Sequence, residues 1–437
     1  MTEEGVPMKK KLIVLSADAL VTEDLEHLKK LPNYRKYLAG GCEISKMRSV
    51  YPTITYPCHT TMATGVYPNK HGINGNLEFL PGVSPLPWLW DRKWNLCKDD
   101  IFYASKAAGY TTAAVFWPVT GNHPAIDYLI DEYWTQSPSD TPREAFARMG
   151  SDERMLSIIE RHIGDNRIRQ HPFTDTFIIR CCCDIIREYQ PDVMFLHPAN
   201  IDAYRHQTGL FNDKVLAGVE ETDQWIGELM DAVRDAGLLE QTNLVLTSDH
   251  GQLEIKRVVN PNVLLAENGF IRLNEDGSLK DWDAWCLSGG MSAMIFLKDP
   301  KDAELRNRVA ALLNRLCGEG VYGFSQVFTT EEINEKEHWS GDFSFVLETD
   351  GYTSFGDSFV RPLVTSFDTD DYRYGRATHG HLPWKGPQPT FLCKGPDFKE
   401  NVTLDTGRLV DQAPTFAKLL GVRLPEAEGI SMDALLK

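Results

Sequence analysis

The run KLIVLSAD, from Lys11 to Asp18, decides the fold, because it is nearly continuous in apolar residues and stops on a carboxylate. Lys11 to Ala17 has the pattern of a strand buried on both faces of a parallel sheet, where alternation between a wet and a dry side is lost. Downstream, Leu25, Leu28, Leu31, Tyr34 and Leu38 recur at helical spacing, which predicts a helix from about Thr22 to Leu38 that Pro32 breaks or restarts. Gly40 and Gly41 close that element. A strand is predicted from Ile44 to Val50. A helix from about Pro57 to Gly65 would carry proline near its first turn and glycine at its end, the expected asymmetry.

The alternation then repeats: a helix through FIIRCCCDIIREY, a strand at DVMFLHP, a helix from about Asp213 to Ala236 and a strand from Asn243 to Asp249. Helices alternating with apolar strands predict an α/β fold, a mostly parallel sheet with helices on both faces. Ligands in such sheets collect beyond the carboxyl ends of the strands, and three strand-like runs stop close to Asp18, Asp202 and Asp249. From 254 to 374 the texture changes. It holds a strand-like MSAMIFL (Met291 to Leu297), a helix from Asp302 to Cys317 and a polar, aromatic stretch, so this region is predicted to be an inserted α+β capping subdomain. Residues 1–253 and 375–437 form the expected core, with VDQAPTFAKLLG as a helix packing back on the sheet.

The chain has 437 residues with 45 Lys plus Arg against 62 Asp plus Glu, a formal charge of −17. That field repels polyanions, so duplex nucleic acid is not an expected partner. No stretch approaches the apolar length of a membrane span, and the first residues make a poor secretory signal because glutamates precede the lysines and Ser16 and Asp18 cut the apolar run. The nine cysteines lack CxxC spacing, and Cys181, Cys182 and Cys183 cannot share one face of a helix. Reduced thiols in a cytoplasmic protein are expected.

Five strings carry the chemistry: SAD ending at Asp18; YPTITYPCHTTMATGVYPNKHGINGN from Tyr51 to Asn76; NIDAYRH with Asp202 and His206; SDHG with Asp249 and His250; and THGH with His379 and His381. Carboxylates neutralise charge while neutral imidazoles favour zinc and its neighbours over magnesium or calcium, so the set suits a pair of divalent transition metals. Asp202 and His206 are four apart, which turns both toward one ion from a helix. Asp249 and His250 are adjacent at a strand end, where both can reach one crevice.

In order and spacing these strings resemble the alkaline-phosphatase superfamily, most closely its nucleotide pyrophosphatase/phosphodiesterase branch. The likeness runs from Lys11 to Asn76, Pro191 to Gln252 and Ala377 to Phe398, and is poor in the insert. It implies an alkaline-phosphatase-like core, with Thr55 as nucleophile beside the metals. Asp202, His206 and His379 would ligate one zinc, and Asp18, Asp249 and His250 the other. Asn76 would donate to a phosphoryl oxygen, and Tyr56 would stack a nucleobase or other leaving group. Manganese is a possible replacement for zinc, since affinity alone does not set occupancy. His59 and His71 read as structural. His381 competes with His379 and departs from the usual HGYDN string.

Thr55 also has a physical reading of its own. A threonine hydroxyl is nearly inert at neutral pH and needs a base or a metal. Its position just before Pro57 puts it at a helix start, where free N–H groups favour a phosphate oxygen. Read without its neighbours, the same hydroxyl fits a helix cap. No Walker lysine follows Gly351 to Gly356, and the oxidisable residue of a sulfatase is absent at Thr55. The reaction expected is hydrolysis of a small-molecule phosphodiester or nucleotide through a phospho-threonine. A phosphonate hydrolase of the phosphonoacetate type, a metal-dependent phosphomutase and a non-catalytic metal-stabilised binding protein are the alternatives.

Overall fold

The computed structural model describes residues 9–91 and 99–437. At its centre is an eight-stranded sheet built on Lys11–Ser16, all six residues of which are buried. This strand lies parallel to Val193–Leu196 on one side and to Thr242–Thr247 on the other, with Leu15 opposite both Leu196 and Leu246. Thr112–Val115 and Tyr128–Ile130 extend the sheet in parallel beyond Val193–Leu196. Toward the other edge, Phe391–Lys394 runs antiparallel between Thr242–Thr247 and Cys42–Ile44, and Val402–Leu404 ends the sheet. The mostly parallel α/β sheet expected from the apolar runs is therefore present.

Alternate residues of the strands feed two cores. Ile13, Leu15, Met194, Leu196, Leu244 and Leu246 pack with helices Phe173–Tyr189 and Asp213–Asp235 on one face. Leu12, Val14, Val193, Phe195 and Val245 pack on the other against Thr55–Thr64, Ile101–Ala107 and Gln412–Leu420. Both faces being covered is why the strands carry no polar alternation. Phe195, in edge contact with Phe102, Trp117 and Phe416, is a site where truncation to alanine should cost about 3–5 kcal/mol.

Pro32 does restart its helix. The segment forms a short 3₁₀ turn at Thr22–Asp24, a single turn at Leu25–Leu28 and a new helix at Pro32–Tyr37. The strand predicted over Ile44 to Val50 is not continuous. Cys42–Ile44 belongs to the central sheet, then the chain leaves it and Met47–Arg48 pairs with Gly407–Arg408 instead. The helix predicted from Pro57 begins two residues earlier, at Thr55, and ends on Gly65, whose φ of +71° is left-handed. A side chain there would meet the Pro414 ring, so conformation and packing both require glycine.

The region after Glu254 builds sheets of its own. Ala284–Ser288, Ser292–Leu297, Phe345–Thr349 and Phe324–Thr329 form a four-stranded antiparallel sheet with a separate core, against which helix Ala303–Glu319 packs. Its two ends meet where Leu253–Glu254 pairs with Ala377–Thr378. Tyr51 and Lys385 of the surrounding chain both bond the buried carboxylate of Glu348, at 2.7 and 2.6 Å, and so tie this sheet to the core. The eight cysteines among the described residues are free thiols, and no described helix is long and apolar enough to cross a membrane.

Candidate metal centre

Three neighbouring parallel strands deliver their following residues to one edge. Asp18 comes two residues after Lys11–Ser16, His197 directly after Val193–Leu196 and Asp249 two residues after Thr242–Thr247. Asp202 and His206 arrive on helix Asn200–Thr208, where spacing of four brings His206 Nε2 to 3.0 Å from Asp202 Oδ2. His206 Nδ1 donates to the Ala377 carbonyl at 2.7 Å, which fixes the tautomer and leaves Nε2 to the centre.

His379 directly follows Ala377–Thr378, the strand that pairs with Leu253–Glu254. Its loop is held by Gly380, whose N–H donates to the Thr53 carbonyl at 2.9 Å and whose φ is +100°. A Cβ on Gly380 would lie 2.1 Å from the Gly289 carbonyl, and the Met291 N–H donates to the His379 carbonyl at 2.9 Å. The turn of the antiparallel sheet thus props the histidine loop from behind.

Seven of the side chains singled out in the sequence converge. Ligating atoms of Asp202, His206 and His379 lie within 4.8 Å of one another, as do those of Asp18, Asp202 and His250. One atom collects the rest: His250 Nε2 is 3.2 Å from Asp249 Oδ2, 3.6 Å from Asp18 Oδ1 and 3.3 Å from Thr55 Oγ1. Asp202 belongs to both groups, which makes the two candidate positions neighbours.

The electrostatics are those of a hole shaped for cations. Burial, and then the nearby Asp202 charge, push Asp18 well above the ordinary carboxylate value. Burial and Asp18 do the same to Asp249. Burial would also raise Asp202, but His206 and the other imidazoles hold it low. Burial lowers His250 strongly and takes His379 down to about 3, so both rings are neutral lone-pair donors. Asp18 Oδ1, Asp249 Oδ2 and His379 Nδ1 are buried without a hydrogen-bond partner among the described residues. Such atoms cost free energy unless something compensates them, and a carboxylate–imidazole donor set at these separations fits divalent metal.

Thr55 is the first residue of its helix, after Ile54, and is buried beside the cluster. The Asn76 side chain reaches the same end, where its Oδ1 accepts the Tyr56 N–H at 3.0 Å. Thr55, Asn76, Asp18, Asp202 and His379 line one cavity of about 270 Å³. Tyr56 does not line it. Its ring is fully buried with Ile73 and Val119 and meets Trp88 edge-on, 5.6 Å between centroids, so Trp88, Trp134 and Tyr372 supply the aromatic walls in its place.

His59, expected to be structural, meets the Thr55 carbonyl with Nδ1 and Ser16 Oγ with Nε2, both at 2.9 Å, and it also forms with His197 and Asp249 a third group whose ligating atoms lie within 4.8 Å of one another. His71 accepts the Ile73 N–H at Nδ1, 3.1 Å away. His381 holds the Leu382 carbonyl at 3.0 Å. Sequence reading missed three contributors. His197 bonds Asp18, Gln252 donates to Asp202 Oδ1, and Glu132, pushed up to about 7 by burial, lines the cavity. For His197 the signal was present, since it directly follows an apolar strand.

The profile of the family described as type I phosphodiesterase / nucleotide pyrophosphatase matches residues 12–376, most of the chain. The chain belongs to that family. Asp18, Thr55, Asn76, Asp202, His206, Asp249 and His250 fall inside the matched span, and His379 lies just after it. A venom phosphodiesterase of Crotalus durissus collilineatus is 26% identical over 98% of this chain and 46% of its own length. Ectonucleotide pyrophosphatase/phosphodiesterase family member 1 of Mus musculus is 27% identical over 56% of this chain and 24% of its own.

The chain therefore spans about half the length or less of these curated family members. Among solved structures, murine ectonucleotide pyrophosphatase/phosphodiesterase 5 matches with a TM-score of 0.66 at 21% identity, covering 98% of this chain and all of that one. An inactive threonine-to-alanine form of the same murine protein, in complex with AMP, matches with a TM-score of 0.66 at 20% identity. The fold of the family is thus the fold seen here. Names drawn from venom and ecto-enzymes lend no support to the cytoplasmic expectation.

Proposed function

We propose that the protein hydrolyses phosphodiester or pyrophosphate bonds of small nucleotide-like substrates, with Thr55 as nucleophile and two divalent cations, zinc above all, in the carboxylate–histidine centre. The observation that carries this reading is the meeting of Asp249, Asp18 and Thr55 Oγ1 around His250 Nε2, each within 3.6 Å. An alcohol oxygen among acceptors and neutral imidazoles is placed for deprotonation and attack, not for capping. Family membership and the inactive threonine-to-alanine form of the murine relative point the same way.

Asp202, His206 and His379 would hold one cation, and Asp18, Asp249 and His250 the other. When bound, the pair supplies the Lewis acidity that makes an alcohol nucleophilic at neutral pH and neutralises charge on the departing oxygen. Thr55 Oγ1 attacks phosphorus, the bond to the leaving oxygen breaks, and the phosphoryl group remains on Thr55 as an ester. Water then cleaves that ester in a second in-line displacement and returns the threonine. The start of helix Thr55–Thr64 directs its dipole at the phosphoryl oxygens. Asn76, fixed through Oδ1 by the Tyr56 N–H, keeps its amide hydrogens for one of them. Trp88, Trp134 and Tyr372 offer flat apolar surface to a base or aryl group.

Purified protein supplied with zinc should release p-nitrophenol from bis-p-nitrophenyl phosphate, and Thr55→Ala should lower kcat by at least about a thousandfold. Full turnover by Thr55→Ala would refute the nucleophile.

A further inference from the structure

The cavity wall is not uniformly acidic. Arg169 and His171 both line it, along with Thr55 and Asp202. The Arg169 guanidinium lies over two indoles, 4.6 Å from the Trp134 ring and 5.8 Å from that of Trp88. Among the described residues no carboxylate lies within ion-pair distance of it, although Glu132 of the same cavity feels its charge. Its backbone is also specified: φ is +80°, left-handed for a side chain that rarely adopts it, and its N–H donates to Thr174 Oγ1 at 2.8 Å. A cation held on aromatic rings at a cavity wall, near Glu132 but bonded to no carboxylate, is free to bond an anion of the substrate.

His171 is fixed beside it. Its Nδ1 donates to Asp175 Oδ2 at 2.7 Å while Asp175 Oδ1 accepts the Ala199 N–H at 2.7 Å, which leaves Nε2 as the ring's remaining hydrogen-bonding atom. Burial opposes its charge, but Asp175 more than offsets this and His171 titrates above the ordinary histidine value. Arg169, Trp88, Asp370 and Tyr372 also line an adjoining groove of about 930 Å³, so Arg169 stands where the cavity opens. Beyond it Asp368 and Asp370 face the groove. That order of charge favours one further oxyanion close to the phosphoryl group over a long polyanionic tail.

We propose that Arg169 is a specificity-determining residue that binds a second oxyanion of the substrate, the neighbouring phosphate of a pyrophosphate bond, with His171 as its partner on the same wall. This rests on the function proposed above and adds the group that separates pyrophosphates from simple diesters. A carboxylate has the same charge and fork geometry, so phosphonoacetate is the competing source of that oxyanion.

The test compares kcat/KM of the zinc-loaded wild type, Arg169→Ala, Arg169→Lys and Arg169→Glu on bis-p-nitrophenyl phosphate, diadenosine 5′,5′-diphosphate and phosphonoacetate. The loss in Arg169→Ala should be at least tenfold greater on the diadenosine diphosphate than on the bis-p-nitrophenyl ester and appear mainly in KM. Arg169→Lys should recover part of it, and Arg169→Glu should be worse than alanine. A selective loss on phosphonoacetate alone would overturn the assignment to phosphate. Equal losses on every substrate, or none, would overturn the role of Arg169. A wild type inert on all three with zinc or manganese added would overturn the proposed function itself.

Discussion

His197 Nε2 donates to Asp18 Oδ2 across 3.1 Å, and the two residues leave adjacent parallel strands in which Leu15 and Leu196 are partners. The bond occupies one carboxylate oxygen and leaves the other, Oδ1, buried and facing His250 at 3.6 Å. In the proposed centre His197 is thus a positioning residue for Asp18. Removing such a support weakens metal affinity by about 10–100-fold. His197→Ala should show that loss in a competitive zinc titration, and His197→Gln should recover part of it. Unchanged affinity in His197→Ala would remove His197 from the account.

Asn76 presents its amide to the cavity because its Oδ1 is taken by the Tyr56 N–H. Asn76→Ala removes a fixed donor where charge develops on a phosphoryl oxygen, an effect of roughly 10²–10³ in kcat. Steady-state kinetics on bis-p-nitrophenyl phosphate should place the loss in kcat more than in KM. Asn76→Asp should be at least as damaging, since it sets an acceptor against an anion.

The buried carboxylates make metal removal a matter of stability as well as activity. Asp18 is raised by burial and then by Asp202, and Asp249 by burial and then by Asp18, so the metal-free protein holds carboxyl groups whose charge it cannot solvate. Chelation should lower Tm, and zinc returned at about 100 times its Kd should restore about 2.7 kcal/mol. In metal-free protein Asp249→Asn should raise stability by about 1–2 kcal/mol while abolishing zinc-dependent activity. Calorimetry of both proteins with and without chelator checks the change of sign.

His71 makes a separate prediction about acid. Burial depresses it to about 3, it is fully enclosed, and its two ring nitrogens meet the Ile73 N–H and Thr61 Oγ1. The unfolded chain binds a proton there near pH 6.5 and the folded one does not. Stability from the neutral ring is therefore complete above pH 6.5 and is lost as pH falls toward 3, at about 1.4 kcal/mol per pH unit. Replacing it by glutamine should make the slope of unfolding free energy between pH 6 and pH 4 shallower by about one proton. An unaltered slope would contradict a neutral buried His71.

The parts of the centre legible in the sequence were those attached to a local pattern. Asp18 and Asp249 follow apolar runs that can only be interior strands, and Asp202 with His206 share a helical spacing. His197 obeys the same strand-end rule, but the strand predicted at DVMFLHP takes it in, whereas the strand ends at Leu196. Gln252 and Glu132 had no pattern, because their roles arise from residues brought close only by the sheet. Tyr56 shows the opposite limit: position in a motif suggested a platform, and the packing of Trp88 over it decided otherwise. The four-stranded antiparallel sheet pairs Ser292–Leu297 with Phe345–Thr349 across some fifty residues, and no local spacing announces such a partner. The same reasoning explains Ile44 to Val50, whose second half pairs with Gly407–Arg408.

The central claim is that these side chains form one centre for two cations with Thr55 beside it. A zinc-edge anomalous difference map of crystals grown with zinc tests it most directly. It should show two peaks, one among Asp202, His206 and His379 and one among Asp18, Asp249 and His250, with Thr55 Oγ1 next to the second. A single peak, no peak, or density centred instead on His59 and His197 would contradict it.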